Sequence, residues 1–261
     1  MNPTVLLNVF SYVAGLDFTG YSNETQFQPS RAALPRTTFR SGGNTELWGG
    51  LRSLTYSQAG LWHAGGSTSV DAEAFNSLGS QTRLHTFGPD EAEGSVAYFW
   101  TGGHFQYAAF DAPVGQLAPF RLTGQGTDRF GVVRGKLAAS PNEFIDGVAT
   151  PVVTDSLGPL GSAVQLGAVA ADEFLYAAVH LLDDVGAGDD ITLTIESDSA
   201  ANFPSPTVRA TLGPLSARGG TWLTPVAGAI TDTWWRFVVD DITAATSGEF
   251  VIGAAFGVQK G

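Results

Sequence analysis

Four histidines, a cluster of aspartates and three of the six tryptophans are the residues of this chain whose chemistry reaches beyond packing. His63, His85, His104 and His180 offer metal ligation or proton relay. Either use needs two or three of them brought together, as HxH or HxxxH spacing would do, and they are scattered singly through strand-like segments. Ordinary packing or surface roles are expected for all four. Asp183, Asp184, Asp189 and Asp190 surround Gly186 and Gly188, which is the raw material of a calcium loop. The run lacks EF-hand spacing and a closing glutamate, so an exposed acidic hairpin tip is expected and no metal is assigned. Trp222, Trp234 and Trp235 carry flat apolar rings suited to sugar faces, but Trp235 falls on the same strand face as Phe237 and Val239, which favours core packing.

Catalysis needs a nucleophile with its base, or two carboxylates in separated environments. There is no GxSxG, no P-loop and no GxGxxG opening a helix; the GQG at Gly124–Gly126 lies between strand candidates and reads as a turn. The sequence therefore predicts no enzyme, no catalytic residue and no cofactor.

The elements that position these residues read as strands. ITLTIES (191–197) alternates with period two, placing Ile191, Leu193 and Ile195 on one face and Thr192, Thr194 and Glu196 on the other. TWWRFVVDD (233–241) sets Trp235, Phe237 and Val239 against Trp234, Arg236 and Val238, so both faces have something to bury. Further strands are expected at 51–62, 95–102, 104–112, 130–139, 163–169, 174–182, 207–213 and 249–258. Gly102 and Gly103 between two of them read as a hairpin turn. One segment, DAEAFNSLG, reads as a short helix capped by Asp71 and closed by Gly79, with Phe75 and Leu78 on one face. The stretch 139–162, rich in proline and glycine, is the expected linker. The expectation is an all-β chain: a β-sandwich or partial barrel with one short helix over 1–148, then a second β-sandwich region over 149–261.

Composition bounds the partners. The 261 residues include no cysteine, so no disulfide or thiolate site is available. Charged residues make up only 15%, against about 25% in an average soluble domain, which points to a surface covered by partners. Net charge is −12, with 9 basic against 12 acidic residues before position 148 and 4 against 13 after it. Such a chain gains nothing from counterion release, so specific nucleic-acid binding is disfavoured, while an acidic wall past which DNA slides is permitted. No apolar run reaches the roughly 18–20 residues that span a bilayer, and the start MNPTVLLNVFSYVAG lacks a charged leader region. Neither membrane span nor signal peptide is expected.

Two stretches resemble the major tail-tube proteins of long-tailed, siphovirus-like bacteriophages. In the first (16–65), a "DLSGYSN" phrase leading to "TTFG" and then to a "GL…GLW" strand is matched by Asp17 to Asn23, Thr37 to Arg40 and Gly50 to Trp62, with Arg40 standing where glycine often follows TTF. The second runs from GSAVQLGAVAADEFLYAAVHLLD through ITLTIESDSAANFPSPTVRATL and ITDTWWRFVV to FVIGAAFGV and is similar to the downstream part of phage structural proteins. The resemblance implies a structural virion protein whose copies form rings, hexamers or pseudo-hexameric trimers, stacked into a tail tube that conducts DNA without binding it specifically. It implies strands joining between copies into a closed barrel, and contacts with other tail proteins. A long loop (19–48) would order against the next ring, with Arg31, Arg36 and Arg40 meeting acidic surface there. Assembly in the host cytoplasm would precede residence in the virion. The competing readings are a host-recognition or carbohydrate-binding β-sandwich module, motivated by Trp222, Trp234 and the 183–190 loop, and a capsid decoration or other tail component.

Overall fold

A computed structural model describes residues 8–37, 45–66, 69–128, 130–145, 148–183, 185–246 and 248–261. Among them the chain is all-β apart from one short helix. In chain order the strands are β1 (Phe10–Val13), β2 (Leu16–Asp17), β3 (Ser22–Pro35) and β4 (Leu47–Leu61). Helix α1 (Val70–Asn76) follows, then β5 (Arg83–Gly88), β6 (Val96–Ala109), β7 (Pro119–Gly126) and β8 (Val133–Ala139). Short strands β9 (Asn142–Ile145), β10 (Val148–Pro151) and β11 (Val153–Thr154) precede β12 (Gly158–Gln165), β13 (Glu173–Leu181), β14 (Asp190–Asp198) and β15 (Thr207–Leu215). The chain ends with β16 (Gly219–Trp222), β17 (Val226–Ala227), β18 (Trp234–Thr243) and β19 (Phe250–Lys260).

Contacts divide these elements into two compact units. The first holds the segment ending at Gly20 together with Arg83–Trp100 and Val133–Gly261; the second holds Tyr21–Thr82 and Thr101–Val132. The sequence reading divides the chain near 148, whereas the contact boundaries fall at 20, 82, 100 and 132.

The first unit is a sandwich. One sheet pairs β16, β13, β19, β8, the start of β6, β5, β1 and β2 in that order, and the other runs β12, β18, β14, β15. Their facing rows are the alternating residues read from the sequence: Ile191, Leu193 and Ile195 with Trp235, Phe237 and Val239 meet Val179, Ile252 and Phe256 in one core. Phe237 and Phe256 stack across it at 3.9 Å between centroids, a contact worth about 0.5–1.5 kcal/mol beyond the area it buries. Strand β13 is buried on both faces. Its second face, with Tyr176 and His180, lies in the layer formed with Tyr12, Phe99 and Trp222.

The second unit is an antiparallel sheet ordered β3, β4, β7 and the latter part of β6, with α1 beside it. Four expectations change here. Gly102 and Gly103 make no turn: β6 runs straight through them. Glycine is needed there for closeness, since a Cβ on Gly102 would lie 2.8 Å from the Tyr56 ring and one on Gly103 2.7 Å from the Ser80 carbonyl oxygen. The GQG is likewise strand, the end of β7, where a Cβ on Gly124 would come 2.2 Å from the Gly103 carbonyl. The span 19–48 is not a loop in its described part, because β3 and β4 zip into an antiparallel hairpin from Ser22↔Gly60 to Pro35↔Leu47. Helix α1 is capped by Ser69, whose side chain accepts from the Ala72 N–H at 3.1 Å, not by Asp71. Its buried residues are Val70 and Ala74, leaving Phe75 and Leu78 exposed. The expected linker 139–162 also contains pairing strands, β9 with β10, β11 with β19 and β12 with β18.

Candidate assembly surface

The histidines are structural, each in its own setting. His63 stacks on Tyr21 at 4.6 Å, His85 lies parallel to Trp100 at 5.3 Å, and His104 is buried with Nδ1 2.5 Å from the Ser77 hydroxyl. His180 is wholly buried; its Nδ1 accepts from the Gly15 N–H at 3.3 Å, which leaves Nε2 to donate to the Thr86 hydroxyl at 2.8 Å. Burial holds its imidazole well below the ordinary 6.5, at about 3.

The aspartate run does not form the expected exposed tip. Asp183 is exposed, Asp190 opens β14, and Asp189 is buried. The Asp189 carboxylate accepts from the Thr246 N–H and hydroxyl, both at 2.6 Å, and from the Gly248 N–H at 3.0 Å, so it fastens one loop to another. Asp184 lies outside the described residues. Among the described residues, no group of three histidine, aspartate or glutamate side chains is placed to hold a metal ion. Trp222 packs against Phe99 and Tyr176 in one sheet while Trp234 lies on β18 in the other, and Trp235 is fully buried, so the three make no common platform.

Sequence inspection missed one buried polar network. Tyr12 donates its hydroxyl to Glu91 at 2.6 Å and Asn142 donates its amide to the same oxygen at 2.9 Å. Desolvation raises the Glu91 carboxyl, against the lowering effect of those two hydrogen bonds. Nothing in the spacing of residues 12, 91 and 142 signals the contact.

What the structure does build is a surface. On the four strands of the second unit, register aligns Gln26 with Ser57, Gln28 with Thr55 and Ser30 with Ser53, and continues Ser57 to Thr123 and Thr55 to Gln125. Gln106 on β6 completes the Thr123 row. These uncharged polar side chains share one solvent-facing side, over an open trough of about 480 Å³. The Ser30 and Ser53 hydroxyls lie 2.7 Å apart, and the Thr123 hydroxyl donates to Gln106 at 3.2 Å. The opposite side is apolar and buried through Leu54, Tyr56, Phe120 and Leu122, with the Tyr56 hydroxyl donating to the Gly103 carbonyl at 3.0 Å and its ring in the space left by Gly102 and Gly124.

Beyond Pro29 and Leu54 the hairpin leaves the sheet, and every described residue is at most half-buried. It still carries Leu34, Leu47, Trp48 and Leu51, each more than half exposed and Leu51 at 86%. Large apolar side chains so displayed mark an interaction site. Of the arginines expected here, Arg31 donates Nε–H to the Gly50 carbonyl at 3.1 Å, and Arg36 lies 4.2 Å over the Trp48 ring while its N–H pairs with the Glu46 carbonyl. Both are therefore engaged in bracing the hairpin from within. Arg40 lies outside the described residues. Among the described residues strand β3 pairs with β4 alone and so is an edge strand.

No protein-family model and no curated protein matches the chain. Among solved structures it is similar to the tail of an empty gene transfer agent particle, refined with C6 symmetry, at 16% identity over 47% of this chain and 91% of the other, with a TM-score of 0.35. It is similar to the tube-terminating cap of the anti-feeding prophage at 12% identity over 52% and 93%, TM-score 0.40. It is also similar to the Dit protein of phage SPP1, described as a hub adsorption apparatus protein of phages infecting Gram-positive bacteria, at 10% identity over 96% and 99%, TM-score 0.32.

Proposed function

We propose that this chain is a structural virion protein of the tail-tube type, assembling with copies of itself into stacked rings around a DNA conduit. One observation carries the reading: an antiparallel sheet with an unpaired edge strand, one polar exposed face and a long hairpin that displays apolar side chains to solvent. An edge strand left open is an aggregation hazard for a monomer, and a ring of copies removes it by pairing. The part of the hairpin beyond the sheet, 30–35 with 47–53, projects on the order of 20 Å toward a neighbouring ring. Its contact there is led by Trp48 and Leu51, with Arg31 and Arg36 holding the strands in place and Arg40 assigned to the same contact.

Rings are read as hexamers or pseudo-hexameric trimers, with other tail proteins at the tube ends, assembly in the host cytoplasm and residence in the virion. The region 149–261 is read as a wall or outer decoration of the tube. No catalytic role is assigned. Among the described residues no helix is long and apolar enough to cross a membrane. Electron microscopy and sedimentation of the purified chain at increasing concentration test the reading: rings or tubes are expected, and a monomer at every concentration refutes it.

A further inference from the structure

The exposed face of the β3–β4–β7–β6 sheet departs from the charge balance of the rest of the chain. The segments that build it, 22–35, 47–61, 101–109 and 119–126, contain one acidic residue, Glu24, although the chain has 25, and three arginines, of which Arg31 and Arg52 lie on the projecting part of the hairpin and Arg121 on the sheet. Even that carboxylate is compensated on the same face, 3.7 Å from the Arg121 guanidinium across the small Ala59. What remains is a lattice of glutamine, serine and threonine with the half-exposed Phe105 at its rim. The other side of the sheet is filled by its own core, so this is the side the sheet has to offer.

A polyanion approaching such a surface meets no lysine or arginine row from which binding would release counterions, and no acidic row whose field would hold it off. Its one half-exposed aromatic ring, Phe105 at the β6 bulge, finds no unstacked base on a duplex. We propose that this neutral, hydrated face, rather than an acidic one, lines the channel through which double-stranded DNA passes. The inference rests on the tube reading and replaces the acidic wall that net charge alone permits. The acidic excess of the chain then faces away from the channel.

Single cysteines in this cysteine-free chain test it. Gln28→Cys and Thr123→Cys sit on the face; Val208→Cys and Leu157→Cys sit exposed on the other unit as controls. In the unassembled chain, all four react with a bulky polyethylene-glycol maleimide at comparable rates, and circular dichroism and thermal midpoints matching wild type show that the variants fold. In tubes, positions 28 and 123 slow by an order of magnitude or more with the bulky reagent but still react with a small maleimide, while the controls keep reacting with both. Tubes in which 28 and 123 keep their monomer rates overturn the inference and leave the tube reading standing, as does their loss of reaction with both reagents, which places the face between copies. Absence of any ring or tube overturns the tube reading and this inference with it. Neutrality has its own arm. Wild-type tubes retain no short duplex DNA at low salt, whereas Gln28→Lys with Thr123→Lys gains retention that falls with salt at about −0.9 in log–log slope per phosphate engaged. Duplex held as firmly by wild-type tubes as by the lysine pair overturns it.

Discussion

Acid should unfold the first unit through His180, and the effect is separable from every other titration. The imidazole is wholly buried with both nitrogens engaged, and Nδ1 faces the Gly15 N–H, so adding a proton there sets two donors against each other in a desolvated site. The folded value of about 3 against 6.5 in the unfolded chain means that the unfolded state takes up a proton between those limits and the folded state does not. Stability from this group is complete above pH 6.5 and is lost as pH falls toward 3, at about 1.4 kcal/mol per pH unit and roughly 4–5 kcal/mol in all. Glu91 works the other way, its raised carboxyl favouring the folded state at low pH and losing that contribution as pH rises. The clean measurement is therefore a difference. Urea denaturation of wild type and His180→Gln, whose amide can keep both hydrogen bonds without titrating, is followed from pH 7 to pH 4. Wild type is expected to lose about 3 kcal/mol more than the variant over that range. Curves that run parallel refute the argument, because every other group is common to the two chains.

Other consequences follow from particular contacts. Gly124→Ala places a methyl carbon against the Gly103 carbonyl and the Tyr56 ring, and should cost about 2 kcal/mol or more in chemical denaturation, while Tyr56→Phe, losing one hydrogen bond, costs about 1. Ser69→Ala removes the cap of α1 and lowers stability by about 1 kcal/mol, and Asp71→Asn leaves that cap in place. Trp48→Ala should leave the thermal midpoint of the unassembled chain nearly unchanged, since the ring is 59% exposed, and yet shift assembly to higher protein concentration by light scattering. Adding calcium or EDTA should not move the melting temperature, whereas Asp189→Ala should lower it by several degrees, because that carboxylate is spent on Thr246 and Gly248.

Strands were legible wherever one face is core. Ile191, Leu193 and Ile195, and Trp235, Phe237 and Val239, fall where their period places them, because burial enforces alternation. Glycine was misread for a physical reason. A sequence shows that Gly102 and Gly103 lack side chains but not whether the freedom is used for a positive φ or for the close approach of Tyr56 from a strand 47 positions away. Helix α1 was placed correctly but faced wrongly, since Val70 and Ala74 are small enough to sit under the sheet while Phe75 is left outside. The polar face had a signal in plain view, the alternation Gln26, Gln28, Ser30 and again Ser53, Thr55, Ser57. Scanning for apolar alternation passes over it, because rows of glutamine, serine and threonine look like loop until their partner strand is known.

That same alternation leaves an ambiguity that the strands themselves must resolve. Sliding β4 by two residues along β3 or β7 would set glutamine, serine and threonine opposite other glutamines, serines and threonines, so the exposed rows carry almost no information about alignment. The Tyr56 ring supplies it. It fits where Gly102 and Gly124 vacate space on two other strands at once, and a two-residue slip toward Leu122 would drive it into that side chain. One tyrosine and two glycines thus oppose slippage of β4 in that direction, a constraint held beneath the face and not in its chemically monotonous rows.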